Sequence, residues 1–227
     1  MILEYLQPDA SILDGITVII RALYYIATIG AAGLAIFAIG FEHRLEAHEA
    51  ARLRRTLLGA ILAGLALSLL ALILRVLVLT AGANISDPNV WAAVMRSRIG
   101  DAFWLRTAGL VLLAAMVTNW RIRSAMTAIG ALLMLASYAA MGHSMLFAPR
   151  QEIAALVVLH LAVVSFWVGS LPPLLWVARR PNGISAVSLI QDWSRAAIWS
   201  VMIMLITGTL LSWYLTLRLD RIFDAWH

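Results

Sequence analysis

Six long apolar runs, none with an aspartate or glutamate in its interior, dominate this sequence. A helix that crosses the hydrocarbon core of a bilayer needs about 20 mostly apolar residues. We therefore predict six transmembrane helices, at about residues 16–41, 56–80, 102–120, 124–147, 153–178 and 196–217. The predicted fold is an all-α, polytopic membrane helix bundle that forms one domain over residues 1–227.

The composition supports a lipid bilayer as the surroundings and excludes several kinds of site. Hydrophobic residues make up 63% of the chain and charged residues 13%, whereas a soluble domain carries about 25% charged residues. There is no cysteine, which excludes disulfides, thiolate metal sites and cysteine nucleophiles. The basic residues are all arginines at the ends of apolar runs rather than in one patch, so no nucleic-acid partner is expected.

The distribution of arginine predicts the orientation in the membrane. The connections after helices one, three and five carry nine arginines, and the opposite side carries five. By the positive-inside rule, the arginine-rich side faces the cytoplasm and both termini lie outside, which is the periplasm if the cell is Gram-negative. The first connection, residues 42–55, is expected to be a cytoplasmic helical extension with a solvated charged face. No cleavable signal peptide is predicted, because the chain does not begin with a basic segment.

Five ionisable side chains fall at membrane depth, where such groups are costly and usually serve a function. They are Arg21, Arg75, Arg106, His143 and His160. The three arginines are expected to extend toward the membrane interface. The sequence alone gives no support for an anion-binding role.

The two histidines lie on the two arms of a predicted helical hairpin, helices four and five. From the helical rise, His143 lies roughly 6 Å and His160 roughly 10–13 Å below the outer end. Two imidazoles at similar depth, without a nearby acid, predict a transition-metal site. The alternative is that each histidine only forms a hydrogen bond with a neighbouring helix.

Two methionines flank His143 and are further candidate metal ligands. Met141 and Met145 carry thioethers, which favour Cu(I) over Cu(II). Both lie two residues from His143, about 200° away around a regular helix, so the three converge on one ion only if the helix loosens. Otherwise these methionines form a packing stripe with Met134 and Tyr138.

Helix five has a second group of candidate residues, which would line a path for the metal or support its ligands. Trp167 follows His160 by seven residues and shares its face. Gly169 permits close approach of another helix. Pro172 and Pro173 are expected to kink the helix and free carbonyls, which either line a polar path or are satisfied by a neighbouring helix.

Several segments resemble the copper resistance protein D (CopD/PcoD) family. They are GHS at 142–144, LHL at 159–161, WVGSLPPL at 167–174, DPNVWAAVMRSRIGDAFWLR at 87–106 and RALYYIATIGAAGLAIF at 21–37. The resemblance implies an inner-membrane protein that moves copper from the periplasm toward the cytoplasm and is not an enzyme. It also implies a periplasmic copper carrier of the CopC type as a partner.

The sequence departs from that family in two respects. Tyr24 stands where the family usually has a histidine, so a three-histidine site would become two histidines and a phenol. Two further helices that family members commonly carry after the sixth are not in this sequence. Two other functions stay open: a membrane electron-transfer protein with a b-type haem held by the histidines, and a copper chaperone or assembly partner without transport.

Overall fold

The computed structural model describes residues 10–80, 85–118, 121–141, 150–180 and 183–224. Over these ranges the chain is helical and forms no strand. Its helices are α1 (Ala10–Phe41), α2 (Ala47–Leu79), α3 (Pro88–Met95), α4 (Arg98–Leu113), α5 (Arg123–Met141), α6 (Arg150–Ala178) and α7 (Gly183–Asp224). Short 3-10 segments follow α1 and α4 directly, at Glu42–Arg44 and Ala114–Val117.

Six of these helices are long and apolar enough to cross a membrane, which confirms the predicted number of spans. They are α1, α2, α4, α5, α6 and α7, and they correspond in order to predicted helices one to six. The short helix α3 was not predicted. It begins where Asp87 caps it by accepting a hydrogen bond from the Asn89 backbone N–H at 2.8 Å, with Pro88 at the first position, where no backbone N–H is needed.

Two spanning helices begin well before the predicted positions, because apolar length marks only the part of a helix that lies in lipid. Helix α2 begins at Ala47 rather than near residue 56, which confirms the helical extension. Glu46 and Glu49 form a capping box at its start, in which the Glu46 N–H donates to the Glu49 carboxylate at 3.0 Å. Helix α7 begins at Gly183 rather than near residue 196.

Helix α1 is the central element and contacts α2, α4, α5 and α6, whereas α7 packs against α6. The core contains fully buried Phe37, Leu57, Leu110 and Met134. Large apolar side chains such as Ile26, Leu62, Trp199 and Trp213 are exposed on the outside of the bundle. Such a surface is stable in contact with the hydrocarbon chains of a bilayer.

Glycines allow α1 and α6 to come into backbone contact. A Cβ placed on Gly33 would lie 2.8 Å from the Cα of Gly169 and would overlap the carbonyl oxygen of Ser165. Gly109 and Gly130 make a similar contact between α4 and α5. Small residues at crossing points are a common means of packing membrane helices, and the predicted close approach at Gly169 is confirmed.

Buried ion pairs fix the end of the bundle where α1 ends and α2 begins, which we call the ion-pair end. The Glu42 carboxylate lies 2.6 Å from Arg54 and 2.9 Å from Arg123. Glu49 pairs with Arg180 through two hydrogen bonds, one of 2.8 Å, and this bonding raises the pKa of the Arg180 guanidinium. The expectation that the acidic residues of this connection lie on a solvated face is therefore wrong for Glu42 and Glu49, which are buried.

Candidate functional site

His160 lies on α6 at its interface with α7, where a threonine fixes the orientation of its ring. The His160 Nδ1 is 3.0 Å from the Thr207 hydroxyl oxygen. That hydroxyl is also 2.7 Å from the Ile203 carbonyl oxygen, which can only accept. Because the hydroxyl has one proton and directs it to the carbonyl, its oxygen accepts the proton of Nδ1. The lone pair of the imidazole is then on Nε2, as in metal-binding histidines whose other nitrogen is hydrogen-bonded.

A second hydrogen bond joins the same two helices, seven residues after His160 on α6 and seven residues before Thr207 on α7. The Trp167 indole N–H donates to the Ser200 hydroxyl at 2.9 Å. Both His160 and Trp167 therefore face α7, which confirms that they share one face of α6. We call this row of residues, His160, Thr207, Trp167 and Ser200, the polar seam.

Space beside the His160 ring comes from a glycine on α7. A Cβ added to Gly208 would lie 3.5 Å from the His160 Cε1, so the ring lies next to the bare backbone of α7.

Helix α6 continues as one helix through Pro172 and Pro173. Their role along a metal path stays a prediction.

The other predicted partners of His160 in a metal site fall largely outside the described residues. His143 and Met145 lie within residues 142–149, between the described parts of α5 and α6. The pairing of His143 with His160 therefore stays a prediction. In the described part of the chain, no three histidine, aspartate or glutamate side chains come together as a metal site.

Two of the three methionines on α5, Met134 and Met141, differ in their surroundings. Met134 is fully buried in the core, which confirms the packing interpretation for that residue. The Met141 sulfur lies 4.0 Å from an Arg106 guanidinium nitrogen. A guanidinium at that distance would repel a metal cation bound to the same sulfur. A ligand role for Met141 stays a prediction.

The three arginines at membrane depth converge on one cavity, which we call the arginine cavity. Its volume is about 610 Å³ and it lies among α1, α2, α4 and α5, at the end of the bundle opposite the ion pairs. Its polar lining consists mainly of Arg21, Arg75, Arg106, Tyr24, Tyr25 and Tyr138. These side chains come from four helices, and their positions in the sequence do not predict that they meet.

Arg106 does not extend toward the membrane interface as expected, because it is held inside the protein by tyrosine rings. Its side chain is only 6% exposed. The guanidinium carbon lies 4.6 Å from the centre of the Tyr24 ring and 5.0 Å from that of Tyr138. Cation–π contacts of this kind stabilise a buried arginine.

Tyr24 belongs to the arginine cavity. It is 5% exposed, and its ring packs against Tyr25 and Tyr138 at 5.0 and 5.9 Å between ring centres. Tyr138 in turn forms a hydrogen bond with Thr28 on α1. The prediction that Tyr24 contributes to the metal pathway stays open, and its neighbours in the structure are an arginine and two phenols.

Comparison with known proteins gives one finding that decides the family. The model of the copper resistance protein D-like family, N-terminal domain, matches residues 12–148, which is more than half of the chain. The chain belongs to the copper resistance protein D-like family. No curated protein and no solved structure matches it.

As a copper resistance protein D-like chain, this is a multi-pass membrane protein of copper handling. The matched residues include α1 from Ile12 onward, all of α2 to α5, the arginine cavity and His143. His160 and the polar seam follow them, on α6 and α7. The resemblance read from the sequence motifs is thus confirmed at the level of the family.

Proposed function

We propose that this protein binds copper within the bacterial inner membrane and moves it from the periplasm toward the cytoplasm. Membership in a copper resistance family and six membrane-spanning helices support the proposal. The observation that carries it is the hydrogen bond between His160 Nδ1 and Thr207. It directs the free lone pair to Nε2 and prepares one imidazole as a ligand.

The proposed site combines His160 with His143, which the hairpin would bring from the end of α5. Met145 is a further proposed ligand, since a thioether favours Cu(I) over Cu(II). The arginine distribution supports a periplasmic position for this end of the bundle. A periplasmic carrier of the CopC type is the proposed copper donor, and no catalysis is involved.

From His160, copper would move along the polar seam toward the ion-pair end. The seam offers the Trp167 indole, whose face attracts cations, and the Ser200 hydroxyl. It ends near Gly169, where α6 lies in backbone contact with α1. Pro172 and Pro173 follow and free two backbone carbonyls of α6 as additional polar groups.

An anaerobic Cu(I) titration of the purified full-length protein tests this site. His160→Ala is expected to abolish or strongly weaken high-affinity binding, because it removes the oriented imidazole. His48→Ala is the matched control, since His48 is exposed and its neighbour is Glu46. Equal copper stoichiometry and affinity in the two variants would show that His160 is not a ligand. A Soret absorption band in the same preparation would favour the haem alternative instead.

A further inference from the structure

The arginines at the two ends of the bundle differ in whether a carboxylate pairs with them. At the ion-pair end, carboxylates of Glu42, Glu49 and Asp192 pair with arginines. Among the described residues that line the arginine cavity, none is acidic. Within the described part of the chain, none of Arg21, Arg75 and Arg106 forms an ion pair with a carboxylate. Three like charges therefore face one cavity without a counter-charge from the described residues.

Arg106 is the most constrained of the three, and one of its donors has no partner among the described residues. Its Nε is buried and forms no hydrogen bond in the described structure, while tyrosine rings lie against the face of the guanidinium. The donors of a guanidinium lie in its plane, and the edge with Nε and one terminal nitrogen matches two oxygens of an oxyanion. A buried cation with an unused donor is costly unless an acceptor meets it.

The size and walls of the cavity indicate what kind of anion fits. A volume of about 610 Å³ is within the usual range of small-molecule sites and far exceeds the space that one inorganic ion needs. Apolar side chains, including Leu72, Val78 and Phe103, share the lining with the arginines. The cavity therefore suits a charged group with several oxygens and leaves room beside it for an apolar part.

We propose that the arginine cavity binds a phosphate group, with Arg106 contacting two of its oxygens and with Arg21 and Arg75 neutralising its charge. A phosphate carries the oxygens and the charge that suit several guanidiniums better than a single carboxylate does. It can come from the headgroup of an anionic phospholipid or from a soluble phosphate. The inference goes beyond copper handling and does not depend on copper binding.

Two arms of one experiment identify the source of the phosphate group. In the first, the full-length protein in phosphatidylcholine nanodiscs is titrated with inorganic phosphate by calorimetry. In the second, native mass spectrometry measures retention of phosphatidylglycerol against phosphatidylcholine by the same protein. Saturable binding in the first arm assigns the site to soluble phosphate, and selective retention of phosphatidylglycerol in the second assigns it to a lipid headgroup.

Charge-removing variants connect either result to the cavity. Arg75→Gln and Arg21→Gln are each expected to weaken binding about tenfold, the effect of losing one charged contact. Both side chains are exposed, so these variants should fold. The control is Arg96→Gln, an exposed arginine at the end of α3 that does not line the cavity, and its binding should equal that of the wild type. The proposal is overturned if the wild type binds in neither arm, or if the Arg96 variant loses as much affinity as the Arg75 variant.

Discussion

Replacing Thr207 by valine tests whether the contact between α6 and α7 prepares His160 for copper. Valine has nearly the same shape as threonine but no oxygen, so the Nδ1 proton loses its acceptor. The proton can then move to Nε2, and the ring is free to turn beside Gly208. Removing the hydrogen-bond partner of a metal-binding histidine typically costs about 10–100-fold in metal affinity. We therefore expect a loss of about 1.4–2.7 kcal/mol in Cu(I) binding.

The assay is a competition titration with a Cu(I) chelator under anaerobic conditions. Thr207→Ser keeps the hydroxyl and should bind copper nearly as the wild type does. Ser200→Ala removes the equivalent hydrogen bond to Trp167 in the same interface, so it controls for weaker packing between the helices and should leave copper affinity unchanged. If Thr207→Val binds as tightly as the wild type, or if Ser200→Ala loses as much, the orienting role of Thr207 is refuted.

Two further predictions concern stability, measured by denaturant unfolding in detergent. Gly33→Ala should cost about 3 kcal/mol or more, because its Cβ would meet the α6 backbone, whereas Gly30→Ala on the same helix meets no atom within 4 Å and should be neutral or slightly stabilising. Equal effects would contradict the close packing of α1 on α6. Glu49→Gln should cost about 3–5 kcal/mol, because it leaves a buried Arg180 without its charge partner. Arg195→Gln breaks an exposed pair and should cost about 1 kcal/mol or less; a larger loss for Arg195 than for Glu49 would show that the buried pair is not the stabilising one.

The number of spans and the family could be predicted from the sequence, because both depend on local patterns. Apolar length alone marks a helix that crosses a bilayer. The DPNVW and WVGSLPPL segments carry the resemblance within short stretches. The face shared by His160 and Trp167 also follows from local helical spacing.

The partners of these residues could not be predicted, because they depend on how distant helices pack. Thr207 lies 47 residues from His160 along the chain, and nothing in its local sequence distinguishes it from other membrane threonines. The start of α7 was missed because Gln191, Asp192 and Arg195 interrupt the apolar residues between its first turns and the predicted span.

The arginine cavity had a sequence signal whose meaning needed the fold. Arg21, Tyr24, Tyr25 and Thr28 follow the spacing of one helix face, so a polar stripe on the first helix was visible. That Arg75 and Arg106 approach the same stripe depends on the packing of α2 and α4 against α1.

Copper uptake into sealed proteoliposomes that contain only this protein tests the central claim most directly. We predict that radioactive copper accumulates inside wild-type vesicles with time, and that His160→Ala vesicles accumulate no more than protein-free ones. Wild-type protein that binds copper at His160 while the vesicle interior gains none would contradict transport and leave a copper chaperone as the function.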